Sequence, residues 1–248
     1  GMNDEPCGAT DKRISDFFKN LPEKNAFGEK IRVVAAVKTR TPKEISLACA
    51  NGVTEIGENK IQELNQKLGL YPKNATLHFI GHLQTNKVKY AVGNVDLIQS
   101  IDSLHLAQAV NARAEKLGIT QKILLEINSG DPKKFGFSFE ETQNAFEQIS
   151  KLKNVKLEGI MTVLPSFYPE KNKNDGDFNP KLAEICAKTR ELYQTLKKSF
   201  EQISVLSMGM SHDYKEAVKG GSNMLRIGEA LFGKRVYPEK VNLPSVNI

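Results

Sequence analysis

The sequence predicts an α/β protein: a single-domain (β/α)8 TIM barrel with an extra N-terminal helix. Three observations predict it. Short apolar runs recur eight times, amphipathic helical stretches separate them, and the whole fits in 248 residues, a length that single barrels of this type commonly reach. An open doubly wound sheet is the competing arrangement. No run is followed by a GxGxxG turn with an acidic residue about 20 positions on, so a dinucleotide site lacks its usual sign.

The elements follow in chain order. "TDKRISDFFKNLPEKNAFGEK" reads as the extra helix, ended or kinked by Pro22. The first strand is "IRVVAAV" (31–37), broken only by Arg32, and a helix with Ile45, Leu47 and Ala48 stops at Asn51-Gly52. "VTEIG" (53–57) precedes a helix at 59–68, and "LHFIG" (77–81) precedes one at 84–91. "VDLIQS" (95–100) leads into Leu104, Ala107, Val110, Ala114 and Leu117 at helical spacing, closed by Gly118. "KILLEIN" (122–128), "LEGIMTV" (157–163) and "ISVLSMG" (203–209) are followed by helices at 139–152, 180–200 and 212–219, and "NMLRIG" (223–228) is the eighth strand. Continuous apolar runs of this kind fit parallel strands buried on both faces. Residues 1–248 are expected to form one domain, with 1–10 and 235–248 as tails and one long Pro/Asn/Asp/Lys-rich loop at 165–180.

Composition narrows the class. Hydrophobic residues make up 40% and charged residues 26%, as in ordinary globular proteins. The formal charge is +6, yet the 35 basic and 29 acidic residues are interspersed, which favours a solvated mixed surface over a nucleic-acid patch. Cys7, Cys49 and Cys186 have no disulfide or metal spacing, so no metal site is expected. With no apolar run near the ~18 residues of a membrane span and no signal-peptide core at the start, a cytoplasmic protein is expected.

In such a barrel the loops at the carboxyl ends of the strands form one concave face, so strand ends nominate site residues. They are Lys38, Glu58 and Asn59, Gly81 and His82, Ser100, Asn128, Met161 and Thr162, Ser207 to Ser211, and Arg226 to Gly228. Lys38 has two readings. It snorkels into solvent, or burial in the mouth disfavours its charged form and leaves an amine able to attack a carbonyl as a Schiff base. The turns in "SMGMSHDYKEAVKGGSNMLRIGEALFG" are either tight packing or a cradle of N–H groups and hydroxyls, among them Ser211 and Ser222, for a phosphate monoester. A ligand that carries both an aldehyde and a phosphate is pyridoxal 5′-phosphate. Arg226 would then approach its ring nitrogen and, as a donor, keep that nitrogen unprotonated. Asn59 either donates to the cofactor's phenolic oxygen or caps the next helix.

"VVAAVKTRT", "GENKIQE", "LHFIGHLQTNK", "SIDS", "GIMTV" and the long segment ending in "LRIGEALFG" resemble the pyridoxal phosphate homeostasis proteins, relatives of the N-terminal barrel of alanine racemase. The resemblance spans residues 31 to 233. It implies Lys38 as the Schiff-base lysine and Arg226 at the ring nitrogen, with Asn59 near the ring. Ser211, Ser222 and the backbone around Asn223 and Gly228 would take the phosphate, and Met208 is a further cofactor-binding residue. It assigns no role to His82, Gln84 and Lys87. Val37 stands where the family usually has serine, Asn223 where threonine is frequent, and "SGDPKKFGF" replaces the commoner loop after the fifth strand.

The resemblance also implies a cofactor-holding protein without turnover that hands pyridoxal phosphate to dependent apoenzymes; a monomer is expected because no oligomerisation domain is evident. The alternative is a weak pyridoxal-phosphate-dependent amino-acid racemase with Lys38 as its base. Racemisation needs a second acid/base opposite the lysine, which in alanine racemase comes from an added domain and the partner subunit. About 15 residues follow "LFG", and none of the six tyrosines falls at a predicted strand end, although Tyr168 in the long loop could swing inward.

Overall fold

The computed structural model describes residues 7–166 and 179–235. Its eight strands are all parallel and close into a barrel in chain order. They are β1 (Arg32–Ala36), β2 (Glu55–Glu58), β3 (Thr76–Phe79), β4 (Leu97–Ile101), β5 (Gln121–Ile127), β6 (Val155–Thr162), β7 (Val205–Met208) and β8 (Met224–Ile227). The helical layer comprises α1 (Cys7–Asn20), α2 (Pro42–Ala50), α3 (Ile61–Lys67), α4 (Val88–Ala91), α5 (Leu104–Leu117), α6 (Phe139–Ser150), α7 (Pro180–Ser199), α8 (Tyr214–Lys219) and α9 (Glu229–Phe232).

Strand alternation divides the core in two. Val33, Ala35, Val37, Ile56, Leu77, Phe79, Ile123, Leu125, Leu206, Met208, Leu225 and Ile227 face outward and pack with helix residues such as Ile45, Leu64, Val110, Phe146 and Leu196. Val34, Leu97, Leu124, Met161, Val205 and Met224 face inward as a small apolar plug. Glu55, His78, Gln99, Ser207 and Arg226 add a polar set to the barrel interior. Helix starts are fixed locally: Thr41 and Glu44 form a reciprocal capping box at α2, Ser138 and Glu141 do the same at α6, and Ser103 caps α5. Gly118 ends α5 in the left-handed conformation.

Three details depart from the sequence reading. The helix α1 begins at Cys7, inside the segment expected to be a tail, and packs against α9, with Arg13 donating to the Phe232 carbonyl. The helix expected at 84–91 is a 3₁₀ turn, Thr85–Lys87, running into the one-turn α4. The helix whose start the sequence places after the eighth strand amounts to a single turn, α9. Residues 167–178, most of the long loop and with it Tyr168, lie outside the described residues, as do 236–248 of the expected tail. Among the described residues no helix is long and apolar enough to cross a membrane, and no group of three or more His, Cys, Asp or Glu is placed to hold a metal ion.

Candidate functional site

The lysine after β1 is aimed by the strand. Val34 faces the interior, and alternation through Val37, whose N–H still bonds the Gly57 carbonyl at 3.1 Å, carries Ala36 and Lys38 to the same face. Lys38 is half-buried at the mouth rather than deep in it, and its side chain has no hydrogen-bond or ion-pair partner among the described residues. Its backbone, by contrast, is gripped on both sides. The Lys67 ammonium donates to the Val37 carbonyl at 3.1 Å, and the Thr39 N–H donates to a Glu63 carboxylate oxygen at 2.7 Å. Thr39 has φ +67°, a left-handed conformation that costs a threonine on the order of 1–3 kcal/mol and persists only when its surroundings hold it.

Both grips come from α3, which an outward-facing cluster ties to β2. Glu58 is fully buried, pairs with Lys67 at 3.1 Å, and accepts a 2.6 Å hydrogen bond from the Tyr71 hydroxyl. Burial pushes the Glu58 carboxyl upward, opposed by Tyr71 and Lys67. The "GENKIQE" motif therefore has a physical use. Glu58 and Glu63 organise Lys67 and Thr39 around Lys38.

Across the β1–β8 seam the register sets Arg226 beside Val34 and Ile227 beside Ala35. A Cβ on Gly228 would stand 3.5 Å from the Ala36 Cβ, so Gly228 abuts the inward residue below Lys38. Arg226 is 4% exposed; its Nη1 donates to Ser207 Oγ at 2.6 Å and its Nη2 to the Thr162 carbonyl at 2.9 Å. Burial pushes its guanidinium down to about 10, against the opposing pull of Glu126 and Asp213, which leaves it charged at neutral pH. Ser211, in the loop after β7, accepts a hydrogen bond from the Ala230 N–H in the first turn of α9 at 3.1 Å. Asn59 lies half-buried at the end of β2. The cap of α3 is Lys60, and the Asn59 side chain has no partner among the described residues, so the helix-capping reading is not realised. Gly81 is required beside it, because a Cβ there would collide with the Asn59 carbonyl.

Lys38, Asn59, Ser211, Arg226 and Gly228 thus share one mouth. Three expected residues do not join them. Ser222 and Asn223 precede β8 and therefore sit toward its amino end, away from the mouth. The Ser222 hydroxyl is fully buried and donates to the Met208 carbonyl at 2.6 Å. Asn223 accepts from the Leu206 N–H at 2.7 Å and donates to the Ser204 carbonyl at 3.0 Å. Asn25, which donates to the Gly221 and Ser222 carbonyls, and Arg190, paired with Glu29 at 2.6 Å, complete a structural knot there. Met208 has its side chain fully buried in the outer core, so only its backbone is near the site.

The opposite rim carries residues that the sequence reading left without a role. His82 Nδ1 lies 3.3 Å from Asp102 Oδ2, and its ring stacks on Phe135 at 3.7 Å between centroids. Gln84 and Lys87 are exposed on the 3₁₀ turn, Lys87 over the Tyr90 ring. Glu126 shares the inward face of β5 with Leu124. Burial pushes its carboxyl up to about 7, with Arg226 and Lys134 pulling down and Asp102 pushing up. A carboxyl raised from about 4.5 to about 7 favours the folded state fully below 4.5, and that contribution is lost as pH rises through 7. Glu126→Gln, which stays neutral, is expected to melt at the wild-type temperature near pH 4.5 and higher than wild type at pH 8, by about 1–3 kcal/mol in stability. Scanning calorimetry at the two pH values checks it; equal melting at pH 8 counts against a buried Glu126 charge.

A family model described as alanine racemase, N-terminal domain, matches residues 21–236. The pyridoxal phosphate homeostasis protein of Aquifex aeolicus is 37% identical over 229 residues, covering 91% of this chain and 96% of that protein. The human protein of the same name is 35% identical over 221 residues, covering 84% and 78%. PipY of Synechococcus elongatus, solved with pyridoxal phosphate bound, is similar at a TM-score of 0.75 and 28% identity, covering 90% of this chain and all of that one. An alanine racemase from Clostridium difficile, at 19% identity and a TM-score of 0.73, covers 94% of this chain and 61% of its own length, a likeness of fold alone.

Proposed function

The chain belongs to the alanine racemase N-terminal domain family, and from that premise we propose that it holds pyridoxal 5′-phosphate on Lys38 and keeps it for delivery, without turnover of its own. The observation that carries the reading is an amine just beyond β1 with no hydrogen-bond or ion-pair partner among the described residues, in the same mouth as a buried arginine, Ser211 and Gly228. When bound, the cofactor supplies an aldehyde that condenses with an amine and a ring that draws electrons. The residues present fit it. Lys38 provides the amine, and Ser211 with the backbone at Gly228 provides hydroxyl and N–H groups for the phosphate. Arg226 offers a donor that stays protonated, so a ring nitrogen facing it accepts and remains uncharged, which weakens electron withdrawal. That preference suits storage better than carbanion chemistry. One chain supplies every residue named, so a monomer suffices, with pyridoxal-phosphate-dependent apoenzymes as recipients.

Borohydride reduction of the loaded protein followed by peptide mapping is expected to find the pyridoxyl group on the peptide containing Lys38. A label elsewhere, or none, overturns the reading. A second reading, weak racemase activity, is favoured by one observation: Glu126 faces the same mouth and changes protonation near neutral pH. Steady exchange of the α-proton of L-alanine in deuterated water, lost in both Lys38→Ala and Glu126→Gln, would establish it.

A further inference from the structure

Interiors of parallel barrels are ordinarily packed by layers of branched apolar side chains. Here a column of polar side chains runs along the inside from the amino end to the mouth. Arg226 Nη1 meets Ser207 Oγ at 2.6 Å, Ser207 Oγ meets Gln99 Oε1 at 2.6 Å, and Gln99 Nε2 meets His78 Nδ1 at 2.9 Å. His78 Nε2 meets Glu55 Oε1 at 2.9 Å, and Glu55 closes a two-point pair with Arg32 at 2.6 and 2.9 Å. His78, Gln99 and Ser207 are fully buried. They come from β3, β4 and β7, so the column is a product of barrel closure rather than of any local motif.

With Gln99 turned so that its Oε1 faces Ser207 and its Nε2 faces His78, the two ends set the direction of every bond in it. An arginine can only donate and an ionised carboxylate can only accept. Ser207 must therefore accept from Arg226 and give its own proton to Gln99. The Gln99 amide, also 3.3 Å from the Met224 sulfur on its nitrogen side, donates to His78 Nδ1. The His78 proton is left on Nε2, pointing at Glu55. All the protons run one way.

We infer that His78, Gln99 and Ser207 are positioning residues for the ring-nitrogen contact of Arg226: a one-way hydrogen-bond relay that orients the guanidinium from inside the barrel. The inference rests on the proposed binding of pyridoxal phosphate with its ring at Arg226. Thr162 fixes one arm of the guanidinium through its carbonyl, and the relay fixes the other, so the remaining N–H groups are presented to the mouth in one orientation. Reversing one bond in the relay turns a donor against a donor or an acceptor against an acceptor, which a buried column cannot accommodate without reorganising.

The experiment uses the full chain with Ser207→Ala, Ser207→Thr and Gln99→Glu, the last keeping size while removing the donor to His78. Without cofactor, nitrogen-15 shifts of the His78 ring are expected to show the proton on Nε2 in wild type and an altered ring in Gln99→Glu, with far-ultraviolet circular dichroism unchanged. Loaded with pyridoxal 5′-phosphate, Ser207→Ala and Gln99→Glu are expected to shift the absorbance band and the pH at which it titrates. Both should weaken binding about 5- to 10-fold, whereas Ser207→Thr retains the wild-type band. A wild-type His78 ring protonated on Nδ1, or loaded spectra and affinities in Ser207→Ala and Gln99→Glu equal to wild type, overturns the relay. Arg226→Leu separates the two ideas. If the chain takes no cofactor at all, the proposed function fails and the His78 ring still decides the relay; if Arg226→Leu binds with an unaltered band, the ring is not at Arg226 and the positioning role is overturned.

Discussion

Lys38→Ala is expected to abolish borohydride-trapped pyridoxyl label and to weaken binding of pyridoxal phosphate at least about 100-fold, roughly 3 kcal/mol. The remaining contacts at Arg226, Ser211 and Gly228 are non-covalent and exchange with water, so they leave residual, reversible binding. The unloaded variant should melt within about 0.5 kcal/mol of wild type, because a half-buried side chain with no partner among the described residues contributes little to the fold. Lys38→Arg is the sharper companion. It keeps a long basic side chain at the mouth but removes the nucleophilic amine, and it should fail to trap label as completely as the alanine variant does. Fluorescence titration and melting curves measure both effects, and an affinity unchanged in either variant sinks the attachment site.

The second large effect is expected behind the sheet, from Lys67→Met. Breaking a buried ion pair by removing one partner typically costs about 3–5 kcal/mol. The low end, about 3 kcal/mol, applies because Tyr71 still donates to Glu58 at 2.6 Å. The loss should shrink toward pH 4, since a protonated Glu58 needs no cation. The sign follows from burial, which raises the Glu58 carboxyl in the folded state, so stability is present at low pH and lost as pH rises. Adding Glu58→Gln to Lys67→Met should recover part of the stability. It should not recover cofactor affinity, because the Val37 carbonyl has still lost its donor. Urea unfolding at pH 4 and pH 8, with binding measured alongside, separates the two roles. A pH-independent loss would mean that Glu58 is not left charged and alone.

The barrel was legible because strands covered on both faces write continuous apolar runs, and all eight runs of the sequence became strands shifted by at most a few residues. The position of Lys38 at the mouth was legible for the same reason, as a charge at the end of such a run. The errors have physical sources. Ser222 and Asn223 stand two residues and one before β8, and in a parallel barrel a residue ahead of a strand belongs to the opposite end from one behind it. Composition alone, glycine and hydroxyl residues close together, cannot tell these ends apart. The interior relay escaped notice because His78, Gln99 and Glu55 each sit singly within apolar runs. Only the closure of the sheet, which sets residues from β2, β3, β4 and β7 against one another, reveals that each has a partner. Glu63 and Lys67 were similarly hidden, since a helix that reads as an ordinary amphipathic cover gives no sign that it holds a loop.

Thr39 stands in a left-handed turn that its own side chain disfavours, and the restraint that keeps it there belongs to a different element. The geometry of the Lys38 side chain is consequently borrowed from the outer wall of the barrel. A neighbour that tugs on that wall, without ever reaching into the bowl, would loosen the aim of the lysine.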